Sequence, residues 1–405
     1  MKVPEIRFAQ YKEPLSQVPL GELAKKSKVI NKHGKNNNLL SLSYGKIVQK
    51  DIESKKGLLP SSFNSYQIIQ ENSIIFRCTD LQNDKKSLRV GLSTQEGIIS
   101  PAYIRMDCDT SKVIPEYLFT QLHYHDSVTK VYYNMGDGLR QTLSFEDLKD
   151  LCIYLPAFPE QAQISLFFKQ IDSQIQSTTK KIEKLKQTKA ASLVSMFPQK
   201  GATKPQVRFN GFEGEWEIGT LSQYAKRITR KNTSLETRLP LTISASEGLI
   251  AQDAFFNNLV ASSNLSGYYL LKRGEFAYNK SYSSGYPFGA VKRLDTYPIG
   301  ALSTLYIIFE VNDDINHDYL LYFFETSLWH NEVAKRAAEG ARNHGLLNIG
   351  AEDFLDINII YPTDIHEQRS IAKFFMNLDA QITLETKRLE KLKNIKTACL
   401  DKMFV

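Results

Sequence analysis

The strongest constraint on this chain is that its last stretch repeats one in its middle. Glu160-Gln161 superimposes on Glu367-Gln368 at an offset of 367 − 160 = 207, and that offset runs without a gap to the end of the sequence. It sets Ile164 on Ile371, Phe167-Phe168 on Phe374-Phe375, Ile171 on Leu378 and Asp172 on Asp379. Further on, Ile182-Glu183-Lys184-Leu185-Lys186 matches Leu389-Glu390-Lys391-Leu392-Lys393, and Met196-Phe197 matches Met403-Phe404. An internal repeat fixes architecture before chemistry is considered.

Each copy predicts one long helix. Ile164, Phe168, Ile171, Ile175, Thr178, Ile182, Leu185, Lys189, Ser192 and Met196 alternate steps of four and three, the seam spacing of a coiled coil. The second copy gives Ile371, Phe375, Leu378, Ile382, Glu385, Leu389, Leu392, Lys396, Cys399 and Met403. Polar residues interrupt both seams at the same places, Thr178 with Glu385 and Lys189 with Lys396. Such positions set register and partner choice. No internal Pro or Gly breaks either copy, so each runs for about 38 residues, roughly 57 Å at 1.5 Å per residue. Because each copy follows a globular segment, the expected closed arrangement packs the two antiparallel within the chain.

The globular segments share their edges. Pro4-Glu5-Ile6-Arg7-Phe8 answers to Pro205-Gln206-Val207-Arg208-Phe209, and Leu20-Gly21-Glu22-Leu23 to Ile218-Gly219-Thr220-Leu221. The exits, Glu146-Asp147-Leu148 to Pro156 and Glu352-Asp353-Phe354 to Pro362, match at an offset of 206. Between them the segments diverge, which predicts a shared frame with different faces. Short β-like runs, Ser73 to Phe76 and Leu305 to Phe309, mix with a helical stretch from Tyr319 to Ala338. The fold class expected is α+β: two similar globular domains separated by two long helices in an antiparallel intramolecular coiled coil, with pseudo-twofold symmetry. The boundaries read as 1–155, 156–200, 201–361 and 362–405.

A length of 405 residues suits two to three domains. No run of 18 apolar residues and no signal-peptide core occurs, so a cytoplasmic location is expected. Cys78, Cys108, Cys152 and Cys399 form no CxxC pattern, which argues against a zinc knuckle or a disulfide framework. The net charge is +7, and each helix repeat carries +3 (six Lys against three acids in 159–198, eight Lys/Arg against five in 366–405). The remainder is 7 − 6 = +1, so any nucleic-acid face on the globules must be a local patch.

Globule, Pro-x-x-Glu-Gln-type helix, globule, Glu-Gln-type helix is an order that resembles the specificity (S) subunit of Type I restriction-modification systems over essentially the whole chain. Pro159-Glu160-Gln161 after Leu155-Pro156 carries the first helix entrance; His366-Glu367-Gln368 lacks the Pro. Ser43-Tyr44-Gly45-Lys46-Ile47, Gly97-Ile98-Ile99-Ser100 and the loop Gly340 to Gly345 are similar to target-domain sequences of that family. The resemblance implies that the globules are target recognition domains, each reading one half of a split, asymmetric double-stranded DNA site. It also implies two methyltransferase subunits docked on the helices and a restriction motor-nuclease. S-adenosylmethionine, ATP and Mg2+ would belong to those partners and no cofactor to this chain.

Catalytic motifs are missing from the sequence. It has no phosphate loop of the Gly-x-x-x-x-Gly-Lys type and no Pro-Pro, hence no (Asn/Asp)-Pro-Pro-(Tyr/Phe) motif for a flipped base. Phe209-Asn210-Gly211-Phe212-Glu213-Gly214 belongs to the shared entrance, and His123-Tyr124-His125 lacks a partner at metal-ligand spacing. A catalytic role is not expected. What suits DNA is a set of Arg and Asn side chains, which match guanine and adenine edges, beside phosphate-seeking lysines. In the first globule these are Arg77, Asn83, Lys85, Lys86 and Arg89. In the second they are Tyr278, Asn279, Lys280, Tyr282, Lys292 and Arg293, with Arg342-Asn343-His344 between glycines. Solvated charged loops and core tyrosines would give the same residue types. A coiled-coil structural or dimerising protein with protein-binding globules is the alternative from another functional class; a neighbouring methyltransferase gene separates the two.

Overall fold

In the computed structural model, residues 4–34, 36–51, 59–60, 62–79, 88–135, 142–244, 248–255, 264–281, 285–337 and 347–404 are described. The chain forms two compact units. Unit 1 comprises Met1–Lys180 with Thr386–Val405, and unit 2 comprises Lys181–Glu385. Each thus takes one globule, part of one long helix and part of the other.

The strands of unit 1 are β1 (Ser16–Pro19), β2 (Ala24–Ser27), β3 (Val29–Ile30), β4 (Leu40–Ser43), β5 (Lys46–Gln49), β6 (Gln67–Ile69), β7 (Ile74–Arg77), β8 (Val90–Leu92), β9 (Gly97–Ile99), β10 (Tyr103–Cys108) and β11 (Cys152–Leu155). Those of unit 2 are β12 (Glu217–Thr220), β13 (Ala225–Arg227), β14 (Leu241–Ser244), β15 (Gly248–Ala251), β16 (Tyr269–Lys272), β17 (Phe276–Asn279), β18 (Ala290–Arg293), β19 (Ile299–Leu302), β20 (Ile307–Val311) and β21 (Asn358–Tyr361). The pairing repeats. Sheet β2-β10-β7-β8 answers to β13-β20-β17-β18, hairpin β4-β5 to β14-β15, ribbon β1-β11 to β12-β21, and β6-β9 to β16-β19. The shared frame expected from the matching edges therefore extends through the interiors: their sequences diverge, yet they share a topology, built from strands of three to six residues whose pattern is too short to align by sequence.

Corresponding side chains do the same work in both globules. Asn31 and Asn232 are fully buried. Asn31 Nδ2 donates to the carbonyls of Asn36 and Phe63, and its Oδ1 accepts from the Asn36 N–H. Asn232 does likewise with Thr237 and Leu265. A buried amide with every polar group used fixes the turn that follows the β2 or β13 edge. Gly97 and Gly300 let the hairpins approach: an added Cβ would lie 2.5 Å from Leu40 Cδ1 or 2.2 Å from Leu241 Cδ1. Hairpin β4-β5 turns through Tyr44 and Gly45, both at positive φ (45° and 75°), as the tight hairpin turn demands.

The two long helices span Phe158–Ser195 and Ile365–Met403. Their starts differ by 365 − 158 = 207, so the absent Pro before Glu367 does not move the helix entrance. Both entrances are clamped. Arg7 reaches the buried Glu160 through Nε and Nη2 at 2.6 and 2.7 Å, and Arg208 reaches Glu367 at 2.7 and 2.8 Å. Gln161 Oε1 accepts from Ile114 N–H while Nε2 donates to Pro156 O; Gln368 does the same with Asn316 and Pro362. Tyr117 and Tyr319 donate to strand carbonyls of β11 and β21.

Within each unit the helix segments run antiparallel. In unit 1 Asp172 meets Lys396 at 2.7 Å and the Phe168 ring lies 6.0 Å from Phe404. In unit 2 Lys181 meets Glu385 at 2.5 Å and Lys189 meets Asp379 at 2.7 Å. Every apolar seam residue is buried or half-buried: Ile164, Phe168, Ile171, Ile182, Ile371, Phe375 and Leu378 fully so, Ile175, Leu185, Ile382, Leu389 and Leu392 partly. Met403-Phe404 join the core of unit 1 and Met196-Phe197 that of unit 2. The expected helix from Tyr319 to Ala338 is two short ones, His317–Phe323 and His330–Arg336. The first starts where the Asn316 side chain accepts the Tyr319 N–H at 2.8 Å.

Candidate nucleic-acid interface

Strand β7 ends at Arg77, whose N–H donates to the Arg89 carbonyl at 2.8 Å just before β8. Arg77 is half-buried there. Arg89 is 1% exposed: Nη1 donates to Thr79 O at 2.7 Å, and the guanidinium stands 5.3 Å from the Tyr133 ring centre. Its backbone N–H donates to the Asp126 carboxylate, as does that of Val90 at 3.3 Å. Burial raises the Asp126 pKa to about 6 against those hydrogen bonds. The main-chain N–H groups of Arg89 and Val90 thus tie β8 to the helix Pro115–Ser127, whose C-terminal turn holds Asp126. Because the Arg89 guanidinium is itself buried against Thr79 O and Tyr133, reading it as a base contact is corrected. Asn83, Lys85 and Lys86 lie outside the described residues.

In unit 2, Tyr278 is a core residue, 0% exposed, stacked on Phe354 at 4.1 Å and donating to Phe288 O at 2.8 Å. That too is a correction. A hydroxyl anchored to a backbone carbonyl inside an aromatic cluster is not offered to a groove. Asn279 is half-buried and accepts from the Ser281 N–H at 3.0 Å, and Lys280 Nζ lies 3.4 Å from Ile349 O. Lys292 is half-buried, and desolvation lowers its pKa. Arg293 bridges Asp295 and Asp318, each at 2.7 Å, over the Phe276 ring. Its charge is thus balanced locally. Tyr282, Arg342, Asn343 and His344 lie outside the described residues.

His123 and His125 are held neutral by burial, with pKa values lowered to about 3 and about 4. Among the described residues no group of three or more His, Cys, Asp or Glu could hold a metal ion. Nor is any helix among them long and apolar enough to cross a membrane. The four cysteines are free thiols.

Sequence reasoning passed over the residues that the fold leaves exposed. Strands β2 and β13 end their sheets. Lys25 and Lys26 on the first, and Lys226 and Arg227 at the same register on the second, are exposed, as are Lys28, Lys32 and Lys46. Tyr44 projects from its hairpin turn. The available signal was the absence of acids: residues 23–50 contain seven lysines and no Asp or Glu.

Residues 253–394 match the model of the Type I restriction modification DNA specificity domain. A search of the curated proteins gives no match. Among solved structures, the Type I restriction-modification system S subunit from M. genitalium aligns over 100% of this chain and 99% of its own, at 15% identity with a TM-score of 0.61. The HsdS subunit from Thermoanaerobacter tengcongensis aligns over 98% of both chains at 15% identity and a TM-score of 0.46. At such identity the likeness to the M. genitalium subunit is one of fold. Residues 253–394 are thus similar to a Type I restriction modification DNA specificity domain, and the chain as a whole has the α+β fold of the M. genitalium S subunit.

Proposed function

We propose that this chain is the DNA-reading subunit of a Type I restriction-modification assembly, each unit recognising one half of a bipartite, asymmetric site. The observation that carries this reading is the duplication: one topology, one Arg–Glu helix clamp and one buried Asn turn occur twice. Yet the side chains at comparable places differ, Val29 and Ile30 in one unit against Arg230, paired with Glu275, and Lys231, bonded to Gly267 O, in the other. A frame used twice with unlike faces suits two unlike half-sites. Two adenine methyltransferase subunits dock on the helical segments, and S-adenosylmethionine, ATP and Mg2+ belong to those partners and to a restriction motor. We assign no catalytic step to this chain, whose sequence lacks both the phosphate loop and the Pro-Pro motif. The candidate base readers that remain are Arg77, Asn83, Asn279, Tyr282, Arg342, Asn343 and His344, with Lys85, Lys86 and Lys280 as phosphate contacts. Lys292 and Arg293 would help only by supporting β18.

Methylome sequencing of the native host with and without this gene tests the reading. Adenine methylation at one gapped, asymmetric motif that disappears with this gene is the expected result. Methylation indifferent to the gene would overturn it and favour a dimerising scaffold.

A further inference from the structure

Seven lysines without one acid across residues 23–50 is an imbalance that the near-neutral globules do not share. The fold sets the first part of that tract on edges. β2 ends the four-stranded sheet and β3 ends the sheet β3-β6-β9, so Lys25 to Ile30 run along strands with one side unpaired. Lys25, Lys26, Lys28 and Lys32 are all exposed. Nearby carboxylates have other partners as well. Asp107, opposite Lys25, is gripped by Arg105 at 2.7 and 2.8 Å. Asp109, which also lies in the field of Lys25, accepts from the Ser111 hydroxyl at 2.6 Å and pairs with Lys112 at 3.8 Å. Glu96 accepts from Asn36 at 3.1 Å. The buried Asn31 ties down the chain between Lys28 and Lys32, so the row is held by the fold. In unit 2 the corresponding edge begins with Lys226 and Arg227, also exposed, although Glu310 faces Lys226.

We propose that this lysine edge of unit 1 (Lys25, Lys26, Lys28 and Lys32) is the surface that seats the DNA phosphate backbone, with Lys226 and Arg227 as its weaker counterpart in unit 2. The proposal rests on the DNA-reading function above. An acid-free row of ammonium groups on a fixed edge matches a row of phosphates. Such contacts position the duplex without reading bases, so they add affinity equally to every sequence. Lysines on a sheet edge also prevent edge-to-edge association. The two roles separate under charge reversal, because glutamates guard an edge as well as lysines do but repel phosphate.

The test compares the full chain with the variant K25E/K26E/K28E/K32E, binding a 60-base-pair duplex of random sequence over a range of salt. A helix variant of equal net charge, K169E/K180E/K184E/K186E, serves as control. With both variants monodisperse and folded, the edge variant should flatten the slope of log affinity against log salt by about 3 to 4, since each phosphate contact contributes roughly 0.9. The helix variant should change it little. Equal slopes in wild type and edge variant, or equal losses in both variants, overturn the edge assignment and leave the DNA function standing. A wild-type chain that binds no duplex at low salt, alone or with its methyltransferase, removes the DNA function itself.

Discussion

A buried ionisable side chain reports its packing through pH. His123 and His125 have folded pKa values depressed to about 3 and 4 by burial, so protonation favours the unfolded chain and stability is lost as pH falls below the unfolded value near 6.5. Asp126 acts oppositely: its folded pKa is raised to about 6, so between that value and about 4 the folded state holds an extra proton and gains stability with acid. The two trends partly cancel in the wild type. In Asp126→Asn the acid-stabilising contribution disappears while an oxygen remains for the Arg89 and Val90 N–H groups. Urea unfolding across pH 6 to 4 should then fall more steeply by about 1 kcal/mol per pH unit; parallel curves would show that Asp126 does not titrate there. The glycines of the hairpin seats offer a second check. Gly97→Ala and Gly300→Ala push a methyl into Leu40 and Leu241, with a typical overpacking cost of about 1–3 kcal/mol in chemical denaturation. Gly201→Ala is no neutral control, because that residue sits at φ +83° although its Cβ would meet nothing.

Among elements, the long helices were legible because ten seam positions repeat one spacing, and a pattern of that length outweighs local propensity. Their polar interruptions are legible in hindsight as well: Lys189 meets Asp379 and Glu325, and Lys396 meets Asp172, so the seam lysines are matched to carboxylates within each unit. The globule interiors were not legible. A strand of four residues is too short to reveal a shared hairpin design: Leu40 to Ser43 buries alternate side chains, whereas Leu241 to Ser244 buries all four. Arg89 and Tyr278 misled for a related reason, since a guanidinium or phenol suits a groove and a satisfied core site equally well until its partners are known. The seam makes a quantitative prediction. Ile371, 2% exposed, and Leu384, 67% exposed, lie on the same helix. Ile371→Ala should cost about 2–5 kcal/mol of unfolding free energy and Leu384→Ala less than about 0.5. Similar costs at the two sites would mean that this face is not the packed seam.

For the whole molecule, the proposed DNA-reading function predicts that specificity divides as the shared frame does. The helix entrances are held by Arg7–Glu160 and Arg208–Glu367, and the β1-β11 and β12-β21 ribbons close each globule beside them. Residues between entrance and exit can vary without disturbing the ribbon pairing and the Arg–Glu clamp, which use the flanking segments, as long as Tyr117 and the residue-114 N–H that serve β11 and Gln161 are kept. Exchanging residues 20–145 for the corresponding segment of a Type I specificity subunit should, on that proposal, preserve folding and change one half of the methylated motif. The other half and the gap length should stay as they were. Methylome sequencing of cells carrying the hybrid with the same methyltransferase reads all three at once. A motif altered in both halves would mean that the globules do not read independently. An unaltered motif from a folded hybrid would place specificity outside the exchanged segment, in the helices or their partners.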